Sequence, residues 1–145
     1  MSFAKIAIAV IAFAAAYKVA NVLFLGAPVD PKKAIAEWTE KVKSELPKRV
    51  NENTSLTDVH SEWYDGGIHG GDDKYWRETY KSAVDPNDDK LKQEKEAITA
   101  SICTSDVHKK VMALGITIQV RVSIPNSYHS KDFDVSKTLC HARQF

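Results

Sequence analysis

The sequence predicts an α+β protein: an N-terminal transmembrane helix, then a small domain with helices packed on one four-stranded, mainly antiparallel sheet and one disulfide. Three observations lead there. Ile6 to Leu25 is an apolar run of helical length. Ile35, Trp38, Val42 and Leu46 recur at spacings of three and four, which makes one apolar helical face. Ile116, Ile118, Val120, Val122 and Ile124 alternate with Thr117, Gln119, Arg121 and Ser123, which makes a strand with one aliphatic side.

Residues 1–27 come first. The run from Ile6 to Leu25 would rise about 30 Å as a helix, the thickness of a bilayer's hydrocarbon core. It carries one formal charge, Lys18, whose long stem can reach the nearer interface. Tyr17, Lys18 and Asn21 fall on one side of such a helix, and Ala9, Ala12, Ala16 and Ala20 form a separate small-residue stripe. Small residues let helices approach closely in lipid, so this segment is expected to meet a membrane-protein partner as well as the bilayer. A cleaved export signal is the alternative. Lys5 would be its basic start, and Ala14-Ala15-Ala16 or Leu25-Gly26-Ala27 would precede the cut. A buried core helix is the third reading.

Residues 28–145 form the second part, a single domain expected in the periplasm. Asp30-Pro31 opens its first helix and Pro47 closes it. Asn51 to Thr54 has turn chemistry. Leu56 to Tyr64 reads as a strand with Val59, Ser61 and Trp63 on one face. The loop DGGIHGGDDK follows, and YWRETYKSAV reads as the returning strand, with Trp76, Glu78, Tyr80, Ser82 and Val84 on one face. Asp85-Pro86 opens a second helix marked by Leu91, Ile98 and Ile102. Ser105 caps a short third one that ends at Gly115. The strand from Ile116 comes next, then the turn PNSYHS, then KDFDVSKTL as a last strand with Phe133 and Val135 inward. The expected order is helix, strand, strand, helix, short helix, strand, strand.

Charge excludes one class. Of 20 Lys and Arg, Lys5 and Lys18 precede Pro31, and of 19 Asp and Glu, Asp30 does, so the remainder is balanced. With no basic patch, nucleic acid is not an expected partner. Cys103 and Cys140 suit one disulfide in an exported domain, or two free thiols in a cytosolic one. The cysteines favour export. The positive-inside rule does not, because Lys32, Lys33 and Lys41 follow the apolar run. A single pass through a bacterial inner membrane is the expected placement.

Chemistry is sparse. His69, Asp72 and Asp73 on the glycine-rich loop are the best local candidates for a ligand site. The loop matches neither a phosphate-binding nor a calcium-binding pattern, so no metal or cofactor is expected. His60, His108, His129 and His141 read as surface residues. There is no GxSxG, and Glu62, Glu78 and Asp134 could be paired acids across a sheet, although strand carboxylates are common as solvated surface. Trp63 and Trp76 are binding candidates if the hairpin exposes them.

The stretches LPKRVNENTSLTDV, ETYKSAV, ICTSDVHKKVMALGITIQVRV and DVSKTLC together resemble small exported bacterial domains of the quorum-sensing-regulated virulence factor type, over about residues 31 to 140. The resemblance implies a periplasmic α+β domain with Cys103 and Cys140 as a structural pair, and no activity. The long GGIHGGDD stretch and the PNSYHS turn depart from that pattern. The expected function is a non-enzymatic, membrane-anchored accessory subunit of a bacterial membrane complex. A cleaved, soluble effector, inhibitor or immunity-type protein is the alternative, and a small metal-dependent hydrolase is the third reading.

Overall fold

Pro31 starts the first helix because its missing N–H costs nothing in the first turn. The computed structural model describes residues 30–64, 73–84, 88–125, 128 and 130–144. Helix α1 (Pro31–Ser44) buries Ala34, Ile35, Thr39 and Val42. Thr39 donates to the Ile35 carbonyl at 2.7 Å and meets Ser61 Oγ of the neighbouring strand at 2.5 Å. The predicted apolar face is present, with Trp38 and Leu46 half-buried at its rim.

Five strands follow in two groups. Strand β1 (Lys48–Arg49) pairs antiparallel with β2 (Thr54–Tyr64), which pairs antiparallel with β3 (Asp73–Ser82). Helices α2 (Asp88–Thr104) and α3 (Asp106–Ala113) then carry the chain across to β4 (Ile118–Ser123). Strand β4 pairs parallel with β3 and antiparallel with β5 (Ser130–Val135). Helix α4 (Lys137–Ala142) ends the described chain. The sheet order is β1-β2-β3-β4-β5.

The sheet therefore has five strands and is mixed. The expected four-stranded, mainly antiparallel sheet is wrong on two counts. Strand β1 has two residues, both exposed, so it has no hydrophobic alternation to read. The β3–β4 pair is parallel because two helices return the chain to the end where β3 began. Helix α4 was also unexpected. Ser136 caps it by accepting from Leu139 N at 3.1 Å.

No helix among the described residues is long and apolar enough to cross a membrane. The transmembrane element of the expected fold class thus has no counterpart in the described structure. The run from Ile6 to Leu25, with Tyr17, Lys18, Asn21, Ala12, Ala16 and Ala20, lies outside the described residues, as do His69, Asp72 and His129.

The core lies between the helices and one face of the sheet. Trp76, Ile98, Ile102, Val111, Ile118 and Val135 are fully buried there. Ile116, Val120, Val122 and Ile124 join them, as their alternation predicts. A bulge at Thr57 shifts the β2 register, which puts Thr54, Leu56 and Val59 all inward. Ser105 caps α3, accepting from His108 N at 3.5 Å, and Gly115 ends it at φ 81°, a conformation other residues adopt at a cost.

The Asn51–Thr54 turn is held from within. Asn51 Oδ1 accepts from the Asn53 and Thr54 amides, both at 2.9 Å. Its Nδ2 donates to the buried Glu94 of α2 at 2.7 Å, and Thr54 Oγ1 donates to the same oxygen at 2.6 Å. The turn therefore pins α2 to the sheet. Thr54→Val keeps the shape and removes one donor from a buried carboxyl. It should lower the unfolding free energy by about 1–3 kcal/mol with an unchanged urea m-value.

Candidate functional site

Trp76, Glu78 and Tyr80 alternate along β3, so all three point into the core. An acid between two aromatic residues is buried with them and must find donors there. Trp76 Nε1 donates to Glu78 Oε1 at 3.1 Å, and Tyr80 Oη donates to Oε2 at 2.6 Å. His108 of α3 brings Nε2 onto Oε1. Its ring also stands edge-on to Trp76, with centroids 6.1 Å apart.

Burial by itself would push the Glu78 carboxyl up. The hydrogen bonds from His108, Tyr80 and Trp76, together with the charge of His108, outweigh it and hold the group below the ordinary 4.5. Tyr80 goes the other way. Burial, then the Glu78 charge, keep its hydroxyl protonated far above the ordinary 10.0. The two groups are driven apart, so Tyr80 is a permanent donor and Glu78 a permanent acceptor.

Tyr80 and His108 also line a cleft of about 210 Å³ between α1 and α3, with Lys41, Lys48, Ser101 and Ser105 around it. An acid–histidine pair beside serines invites a nucleophile reading. The geometry does not complete it. His108 Nδ1, the nitrogen that would take a serine proton, is buried and has no hydrogen-bond partner among the described residues. The arrangement fixes β3 against α3.

The sequence-predicted residues fall in different places. Trp76 is fully buried, so it is not exposed on the hairpin. Trp63 is half-buried at the end of β2, with Lys74 Nζ 4.9 Å from its ring centroid. It lines an open groove of about 400 Å³ beside α1, with His60 and the exposed Tyr64. Asp73 begins β3. Glu62 and Asp134 are at outward-facing positions while Glu78 faces inward, so the three acids do not meet. His60 and His141 are exposed as expected, but His108 is not a surface residue. Its partner is 30 positions away, and only the Trp-x-Glu-x-Tyr alternation hinted that a buried donor was needed. Among the described residues no group of three or more His, Cys, Asp or Glu is placed to hold a metal.

Cys103 of α2 and Cys140 of α4 form a disulfide with Cα atoms 5.4 Å apart. Both are buried. A second groove of about 400 Å³ runs between α2 and β5, floored by Leu91, Val122 and Phe133.

No family model and no curated protein matches the sequence. Two solved structures are similar in fold. One is a Pseudomonas aeruginosa protein described as secreted, 11% identical, with a TM-score of 0.50 over 75% of this chain and 91% of that one. The other is the type II secretion system pilotin of Vibrio cholerae, 17% identical, with a TM-score of 0.48 over 74% of this chain and 99% of that one.

Proposed function

We propose that this chain is an exported, soluble binding domain. Residues 1–27 serve as a cleaved export signal. The domain that follows acts in the periplasm or outside the cell by holding another protein, as an effector, inhibitor or immunity-type protein does. The observation that carries this reading is the buried Cys103–Cys140 bond, since such bonds persist in oxidising compartments. The Glu78 cluster supports it too. Both Glu78 oxygens accept bonds within the core, which suits a structural role for this cluster and a binding role for the surface. Export is also in keeping with the description of the Pseudomonas aeruginosa neighbour. The resemblance to quorum-sensing-regulated virulence factor domains points the same way.

Intact mass tests the proposal. The full chain is produced in a bacterial host and recovered from the periplasm and medium without reductant. The expected species is soluble, shortened at its N-terminus and two hydrogens lighter than its reduced form. A full-length species that leaves the membrane fraction only in detergent would overturn it.

A further inference from the structure

The groove between α2 and β5 combines an apolar floor with a lysine-bearing rim. Its floor is apolar: Leu91 and Phe133 are half-buried and Val122 is buried. Its rim carries Lys92 and Lys95 from α2 and Lys131 from β5, all exposed. Among the described residues no carboxylate pairs with any of these three amines. Lys95 instead rests over the Phe133 ring, 5.1 Å from its centroid.

Glu94 and Asp132 also line the groove, but the carboxylates close by are bonded to other groups. Glu94 is buried and accepts from Asn51 and Thr54. Glu96 is held by Arg143, and feels the charges of Lys95 and Lys92 more weakly. Asp132 forms a two-pronged bond with Arg121, at 3.0 and 3.1 Å. The rim is therefore locally positive on a chain whose net charge is only +1.

Taking the chain as a binding domain, as proposed above, we infer that this groove docks a partner protein through an acidic segment bearing one aromatic or aliphatic anchor. The anchor sits on Phe133, Leu91 and Val122, and carboxylates on either side of it meet Lys92, Lys95 and Lys131. A small apolar centre ringed by polar groups is how interface hot spots are built. A protein segment suits the site better than a lipid chain. The groove is open along its length, whereas a lipid chain needs a cavity that encloses most of its surface.

A random heptapeptide library displayed on phage, selected against the full disulfide-bonded chain, tests this. Selected peptides should carry an aromatic or aliphatic residue flanked by at least two carboxylates. Made synthetically, they should bind at least tenfold more weakly to Lys92→Glu/Lys95→Glu/Lys131→Glu, and more weakly as salt is raised. Phe133→Ala should weaken them too. Lys81→Glu, exposed on the opposite face of the sheet, should not. The charge-reversed chain should keep a single cooperative urea transition, which shows that weaker binding does not come from an unfolded chain. No enrichment, peptides lacking carboxylates, or peptides indifferent to charge reversal would overturn the assignment. So would binding of phosphatidylglycerol vesicles in place of peptides. Any of those results with an exported, processed chain would remove this groove and leave the binding-domain proposal standing.

Discussion

His108→Ala should cost about 3–5 kcal/mol of stability, the penalty for stranding a buried charge without its partner. The Glu78 side chain is wholly buried, and His108 is the one partner that meets it with a ring able to carry positive charge. Tyr80 and Trp76 would remain as donors, but both are neutral. A domain of this size has about 5–15 kcal/mol in total, so the variant will be marginal. Glu78→Leu combined with His108→Leu removes both partners. It should recover much of the loss, because an apolar pair of suitable volume replaces a buried ion pair at little cost.

Acid supplies an independent reading of the same pair. In the parent protein Glu78 is held below its ordinary 4.5. The stabilisation it provides is therefore complete above that value and disappears as pH falls through the lowered one. In His108→Ala the leading cause is burial, which pushes the carboxyl up. The folded variant then takes up a proton more readily than its unfolded chain does, and is relatively stabilised as pH falls. The gap in unfolding free energy between parent and variant should narrow between pH 7 and pH 5. Urea titrations at several pH values would check it, and a gap that widens with acid would refute this account of Glu78.

Removing the Cys103–Cys140 bond is the second large expected effect. The two residues are 37 apart, and the chain-entropy relation assigns a closed loop of that length about 4 kcal/mol. The bond joins the long α2 to the six-residue α4, a helix too short to hold itself in water. Cys103→Ala/Cys140→Ala should lower the unfolding free energy by that amount, and the urea midpoint by that amount divided by the m-value. Amide exchange should rise first in α4, while β3 and β4 stay protected. Equal loss of protection throughout would mean that the bond supports the whole core rather than this terminal helix.

Local pattern made some elements legible and left others hidden. Strand β4 was readable because five aliphatic residues alternate without interruption. Helix α3 was readable from Ser105 and Gly115, whose roles depend on their own backbone. Strand β1 was not, because its two residues are strand only by virtue of pairing with Leu56 and Ser55. The mixed sheet was within reach, since two helices separate β3 from β4, and a strand–helix–strand crossover favours a parallel pair. The Glu78–His108 pair was hidden because neither residue carries a local mark of its partner. The turn NENT read only as a turn. Its tie to Glu94 depends on a helix 40 residues onward.

The parallel seam divides the domain into two halves of similar make. Each contains an antiparallel pair, β2 with β3 and β4 with β5, and each can begin to assemble from its own nearby residues. The seam itself joins residues more than 40 positions apart and closes later, because long-range pairing costs more chain entropy. Glu78 to His108, Thr54 and Asn51 to Glu94, and Lys74 to the Leu114 carbonyl all cross from one half to the other. Aliphatic surfaces alone would let one half slide along the other by a residue pair at small cost. A carboxyl that finds its donors in a single alignment does not, so these polar bridges act as dowels that admit one docking and reject its neighbours.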